Sequence, residues 1–316
     1  MSSSRCPGDG SPGASVLAAA REAGACAVGF ARVEPVDPSH AEQFRHWIAR
    51  GCNAGMDYLE KYYDVRDNPA LLLDGARSIL CLAFPYADGT TQHHPLFADY
   101  ALGRDYHEVL RKHLAPVAAI MEATVPESRT RICIDTAPIR ERYWAAKAGL
   151  GIIGLNNQLI VPGIGSAVFL AEILWTADAE PAESRLEQSC LRCGRCVKAC
   201  PVGAIDGIGA LDARKCLSYL TIEHRGDLPE GVSLAGRRIY GCDICRSVCP
   251  YNSEVLHLPV LDEFKPSDAL MNLSLQDIAD MEQPQFSTIF SHSAVKRAKL
   301  AGLKRNSLAA LKHGDN

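Results

Sequence analysis

"CLRCGRCVKACPVGAI" (residues 190–205) places Cys190, Cys193, Cys196 and Cys200 within eleven residues and follows the last with Pro201. Further on, "CDICRSVCP" (242–250) repeats the ending with Cys242, Cys245 and Cys249, and Cys216 lies between the two runs. C-x-x-C-x-x-C-x-x-x-C-P is the bacterial two-cluster ferredoxin pattern, in which closely spaced thiolates hold three irons of one cubane and the fourth cysteine of each run crosses to the other cluster. On that rule one [4Fe-4S] cluster takes Cys190, Cys193, Cys196 and Cys249, and the second takes Cys200, Cys216, Cys242 and Cys245. A pair of zinc sites would also use C-x-x-C. Three cysteines at successive i+3 spacing and two C-P endings favour cubanes, so this segment carries electrons.

The chain has 316 residues, 47% of them hydrophobic, and a net charge of −4. That length suffices for a large core and two domains. No apolar run approaches the ~20 residues of a membrane span. The opening "MSSSRCPGDGSPG" (1–13) is small, polar and Gly/Pro-rich; it has no secretory h-region and reads as a disordered lead-in. These features predict a cytoplasmic monomer with no membrane contact. In that reducing compartment thirteen cysteines point to metal rather than to disulfides. The remaining five, Cys6, Cys26, Cys52, Cys81 and Cys133, lack metal spacing and read as small buried hydrophobes or exposed thiols.

The region before residue 190 reads as α/β. "VLAAAREAGACAVGFARV" runs from a helix ending near Gly24 into a strand, and "SILCLAFPY" (78–86) is a continuous apolar run of the kind a doubly covered strand needs. "TRICIDTAP" (130–138) and "AVFLAEILW" (167–175) add two buried strands. "PIRERYWAAKAGLG" suggests a helix opening at Pro138 and closing at Gly149 in a left-handed C-cap. Helices alternating with buried strands predict a mixed or parallel sheet, with ligands beyond the strand ends. Asp135 stands at such an end, where its carboxyl could either cap the next helix or face a ligand. The turn "AGLGIIGLNNQLIVPGIGS" is glycine-rich without being a Walker loop or G-x-G-x-x-G, so it gives no firm nucleotide signal.

"CIDTAPIRERYWAAKAGLG", "YALGRDYH" (100–107), "CLSYLTIEHRG" (216–226) and "RRIYGCDICRSVCPYN" (237–252) together resemble the epoxyqueuosine reductase (QueG) family, a relative of the reductive dehalogenases. The resemblance spans roughly residues 14–312. It implies an α/β cobalamin-binding catalytic domain over 14–178, a two-[4Fe-4S] ferredoxin-like module over 179–255 and a short helical, HEAT-like segment with a basic tail over 256–316. The clusters, fed by an unidentified electron donor, would reduce the corrinoid cobalt. The enzyme would then remove the epoxide oxygen of epoxyqueuosine in the tRNA anticodon loop to leave queuosine.

The resemblance makes Asp135 the proton donor. Expelling the epoxide oxygen as water takes two electrons and two protons, and such an acid must stay protonated near neutral pH through burial or a neighbouring negative charge. Arg66, in "YDVRDNP", is implied to contact the corrinoid together with Asp135, Asn156, Ser166, Ser218 and Asp243. Without the resemblance, Arg66 reads as a surface arginine and the others as turn or cap residues. "DYHEVL" (105–110) has Leu110 where the cobalamin motif D-x-H-x-x-G has glycine and looks helical, so His107 is not expected to be a lower axial ligand. The family's G-W-I-G-K-N appears here as "GIIGLN", with Ile152 for the aromatic and Leu155 for the lysine.

A net charge of −4 excludes broad non-specific nucleic-acid binding, so a tRNA footprint must be local. The C-terminal "AVKRAKLAGLKRNSLAALKHGDN" supplies six Lys/Arg. Lys304 and Arg305 are the expected phosphate contacts, the alternative being a solvated helix face. Two other classes stand beside this reading. A dehalogenase-like cobalamin enzyme would share the corrinoid and clusters without needing the basic tail. A pure electron-transfer ferredoxin would need no large α/β domain.

Overall fold

The computed structural model describes residues 12–87, 91–181, 189–234, 236, 238–253 and 258–312. Along the chain run α1 (Pro12–Glu22), β1 (Ala27–Arg32), α2 (Pro38–Ala49), α3 (Tyr63–Asp67), β2 (Ser78–Pro85), α4 (Tyr106–Thr124), β3 (Thr130–Cys133) and α5 (Glu141–Lys147). A short hairpin of β4 (Ile152–Ile153) and β5 (Leu159–Ile160) leads to β6 (Val168–Trp175). The cysteine-rich stretch contributes α6 (Arg195–Ala199), α7 (Leu217–Ile222) and α8 (Ile244–Ser247). The chain then turns helical through α9 (Asp268–Met271), α10 (Leu275–Asp280), α11 (Gln283–Phe290) and α12 (Lys299–Leu311). Of the expected disordered lead-in, residues 1–11 lie outside the described residues, while Pro12 and Gly13 already belong to α1. Among the described residues no helix is long and apolar enough to cross a membrane.

The expected buried strands are present, but the sheet is neither mixed nor parallel. Its order is β1-β2-β6-β3 and each neighbouring pair is antiparallel. A strand covered on both faces reads as an apolar run whichever way its neighbours point, so the sequence signal reported burial and not direction. Leu80, Leu82 and Phe84 of β2 pack with Val16 and Ala20 of α1 and Leu110, Leu114 and Met121 of α4. Ile79, Cys81 and Ala83, on the other face, pack with Tyr143, Trp144 and Ala145 of α5. Cys52, Cys81 and Cys133 are buried and Cys26 is half-buried, while Cys6 lies outside the described residues.

Helix α5 opens at Glu141, three residues later than expected, and its N-cap Arg140 makes no side-chain cap. Gly149 closes it at φ 76°, a left-handed conformation that glycine adopts without a Cβ penalty. In the following hairpin a Cβ on Gly151 would lie 2.3 Å from the Ile160 carbonyl oxygen, so this glycine lets the two hairpin strands meet. Residues 96–102 leave the sheet region and join the core of the C-terminal helices. Phe97 and Leu102 pack with Tyr240, Phe290 and Leu303, and the Ala98 N–H donates to the Tyr240 carbonyl at 2.8 Å.

Candidate active site

Asp135 follows directly on the end of β3, in a left-handed conformation at φ 52° that is unusual for a residue with a side chain. Its carboxylate does not cap α5. Oδ2 instead lies 3.1 Å from Nε2 of His107, whose Nδ1 lies 2.7 Å from Oδ1 of Asp105. Asp105 is the N-cap of α4, accepting the His107 N–H at 3.0 Å and taking Lys296 at 2.7 Å. Both ring nitrogens of His107 thus face carboxylates. Tyr106 stacks on the imidazole, with ring centroids 4.1 Å apart, and its hydroxyl lies beside Asp135. From the other side Glu141 Oε1 accepts the Asp135 backbone N–H at 2.6 Å.

These neighbours set where the proton sits. Burial pushes the Asp135 carboxyl upward, but the hydrogen bond and charge of His107 overcome it and hold the group below the usual aspartate range. His107 is lowered by burial and raised more by Asp105 and Asp135, reaching about 9. At neutral pH the proton therefore resides on the imidazole and the pair is His107⁺–Asp135⁻. Burial, then the Asp135 charge, raises Glu141 above its ordinary value. Glu172 on β6, with both oxygens unpartnered in the core, is raised by burial and by Glu141, so it is neutral.

Asp135 exposes 54% of its side chain, yet protein surrounds it closely enough that burial is the largest influence on its proton. Arg142 shows the same combination of an open surface and dense surroundings. Tyr58 stands within the field of Glu223, Arg297, Asp135 and Arg66, and the Arg297 guanidinium lies 5.9 Å from its ring centroid. The Nε of Arg66 and the Oγ of Ser166 are buried without hydrogen-bond partners.

Other sequence-expected contacts already have internal partners. Asn156 donates from Nδ2 to the Cys245 carbonyl at 3.1 Å, tying the hairpin to the cysteine-rich stretch. Asp243 accepts the Asp99 N–H at 2.9 Å and pairs with Arg238 and Arg246 in a buried charge network. The Ser218 backbone N–H lies close to the Cys216 sulfur and favours its thiolate. Lys304 donates to the Met281 carbonyl at 3.1 Å. Arg305 donates to the carbonyls of His224, Gly226 and Leu220 at 2.7–3.0 Å, and so clamps α12 onto the segment after α7. Lys299 and Lys312 are exposed and have no ion-pair partner among the described residues.

The cysteines fall into two neighbouring groups. Cys190, Cys193, Cys196 and Cys249 line a small, partly open cavity with Leu155 and Tyr251. Cys200, Cys216, Cys242 and Cys245 lie within one another's fields, and Cys245 also feels Cys196. Each run therefore gives its last cysteine to the other group, or in the case of Cys200 to the group of the second run, as the ferredoxin rule requires. Among the described residues no three His, Cys, Asp or Glu converge to hold a single metal ion; the thiols surround spaces instead. Such donor sets fit cubanes. Leu155, where lysine was expected, is 8% exposed and packs on Cys196 and Ile205, making the wall of the first site apolar.

His107, Tyr106, Glu141 and Arg297 had no assigned part in the proton chemistry from sequence. Their nearest signals were "DYH", at the end of the quoted "YALGRDYH", and the "ERY" six residues after Asp135.

Residues 66–136 match the family described as epoxyqueuosine reductase QueG, DUF1730, and residues 189–252 match the 4Fe-4S double cluster binding domain. An epoxyqueuosine reductase from Gloeobacter violaceus is 38% identical over 310 residues, covering 94% of this chain and 95% of the relative. The crystal structure of an epoxyqueuosine reductase with a tRNA-Tyr epoxyqueuosine-modified stem loop aligns at TM-score 0.85 and 28% identity, covering 95% of this chain and 80% of that one. A Bacillus subtilis epoxyqueuosine reductase with its catalytic aspartate loop swung out of the active site gives the same TM-score, identity and coverage.

Proposed function

The chain belongs to the epoxyqueuosine reductase family, and from that membership we propose that it reduces epoxyqueuosine to queuosine in the tRNA anticodon loop, using two [4Fe-4S] clusters and cobalamin. The observation that carries the reading is the His107–Asp135 pair in a chain whose eight further thiols gather into two cluster-forming groups. The unpartnered Arg66 Nε and Ser166 Oγ support a polar ligand of corrinoid type, because buried polar atoms without protein partners call for one from elsewhere. We read residues 14–178 as the corrinoid-binding unit, 179–255 as the cluster module and 256–316 as the start of a HEAT-like region, acting as a cytoplasmic monomer. Asn156, Ser218 and Asp243 would meet the corrinoid from the cluster side, with Asp243 fixed by its arginines.

When bound, the clusters and the corrinoid supply the two electrons. The protein supplies protons. Nε2 of His107 holds one against Oδ2 of Asp135, and as charge builds on the departing epoxide oxygen Asp135 takes that proton and presents it as a carboxylic acid. Glu141, fixed on the Asp135 backbone and raised by burial, is the second protonated group within reach. Tyr106 holds the imidazole in plane by stacking. The tRNA backbone would be held by the tail, with Lys299 and Lys312 offering free ammonium groups and Lys304 and Arg305 fixing the helix that carries them.

Anaerobically reconstituted protein given tRNA bearing epoxyqueuosine should release queuosine lighter by one oxygen atom on nucleoside mass analysis. Reduction of small organohalides with unchanged tRNA would replace this reading by the dehalogenase-like one.

A further inference from the structure

The first cluster site reaches the surface. Cys193 is exposed, and Leu191 beside it is 61% exposed. Helix α6 follows with Arg195 and Lys198 both exposed, and Arg192 adds a third exposed cation. The turn at Gly207 packs on Val197 of the same helix and carries Ile208, which is 79% exposed. A shallow cleft along α6 is lined by Arg195, Lys198, Ser247, Cys249 and Ser253, with no carboxylate among the described residues that line it. The acid on the neighbouring turn, Asp206, directs Oδ1 onto the backbone N–H groups of Ile208, Gly209 and Ala210. Among the described residues none of the three cations has an ion-pair partner.

We propose that this surface docks an acidic, low-potential one-electron carrier protein that reduces the cluster held by Cys190, Cys193, Cys196 and Cys249. Electron tunnelling falls steeply with distance, so a protein donor must sit over the cluster nearest the surface, and Cys193 marks that cluster. Unpaired cations attract an acidic partner over long range and set the encounter rate more than the affinity. Two exposed aliphatic side chains give the small apolar contact of a short-lived electron-transfer encounter. One electron passes per docking event, from the carrier to the oxidised cluster, with no bond broken and no proton moved. Two such events match the two electrons needed per epoxide. The inference rests on the clusters carrying electrons and not on the tRNA reading.

The test uses full-length reconstituted protein and a reduced plant-type [2Fe-2S] ferredoxin as the acidic probe. The double variant Arg195→Glu/Lys198→Glu should lower the second-order rate of cluster reduction, followed by absorbance, by about tenfold or more at low salt. The wild-type rate should fall as salt rises while the variant's changes little, and calorimetric binding of oxidised ferredoxin should weaken in parallel. Iron content, tRNA affinity and reduction by the small cation methyl viologen should not fall. If the reversal costs iron, the milder Arg192→Gln/Lys198→Gln pair takes the same readings with a smaller change. An unchanged ferredoxin rate and salt dependence overturns the proposal. So does a loss of tRNA affinity with ferredoxin reduction intact, which would assign the surface to nucleic acid. Ferredoxin reduction that depends on these cations in a protein inactive on tRNA would sink the functional reading alone.

Discussion

The sheet region and the cysteine-rich module are built in opposite ways. The sheet buries apolar side chains on both faces, against α1 and α4 on one and α5 on the other. Around the first cluster site the buried apolar residues are Leu155, Cys196 and Ile205. Hydrophobic burial at ~25 cal/mol per Å² can hold the first together; the second depends on metal–thiolate bonds for its fold. Their chemistry differs in the same sense. Cluster ligands recur in a fixed sequence motif, whereas the proton site joins two groups 28 residues apart that share no motif, at the start of a helix and just beyond a strand.

Stripping iron should break the comparison most forcefully. Turnover should vanish and the module should loosen, while the thermal transition of the sheet, followed by circular dichroism, persists; joint unfolding would show that the regions are not independent. Cys200→Ala sharpens the point. It should cost the cluster shared with Cys216, Cys242 and Cys245 and spare the one held by its sequence neighbours, as read by cluster-resolved paramagnetic resonance.

Next in size are changes to the proton pair. Asp135→Asn and His107→Gln should each lower turnover about 100-fold or more, with both clusters retained. His107 is raised above its ordinary value, so its proton and the stability it contributes are fully present below that value and are lost as pH rises through about 9. Turnover should decline over the same window. A flat profile to pH 10 would remove His107 from proton delivery.

Arg305→Ala should cost about 1–3 kcal/mol of stability by leaving carbonyls unpaired, lowering the melting temperature with little change in the salt dependence of tRNA binding. Lys299→Ala with Lys312→Ala should do the reverse, flattening that dependence by somewhat less than about one unit per contact. A narrower effect on the chemistry is expected from Leu155→Lys. A cation at the apolar wall favours the reduced cluster, so the potential of the first cluster should rise in a redox titration, while the buried unpaired ammonium lowers the melting temperature.

What the sequence made legible follows the same division. The grouping of the eight thiols could be read from spacing because coordination forces a fixed order of ligands along the chain. The strand positions were readable from apolar runs, but their directions were not, since helices cover both faces here as they do in parallel sheets. Asp135 was found by resemblance, and its charge state was not legible because the partner that sets it is contributed by α4. Arg305 looked like a free cation in the tail. The carbonyls it clamps lie about 80 residues earlier, at Leu220, His224 and Gly226, a pairing that no local pattern reports.

The segment leading into α4 is anchored almost entirely from the far end of the chain. The Asp105 N–H donates to the His292 carbonyl at 2.7 Å, the Arg104 N–H to Glu263 at 2.7 Å, and Ser267 donates back to Leu102 at 2.9 Å. During synthesis the strands and α5 leave the ribosome long before these anchors exist, and contacts this distant form slowly because a large loop must close first. The orientation of His107 would then be among the last features of the native state to be set. A nascent chain could hold a folded sheet and Asp135 in place while having no fixed proton for it to deliver, so chemical competence would arrive with the C-terminal helices and not with the catalytic strand.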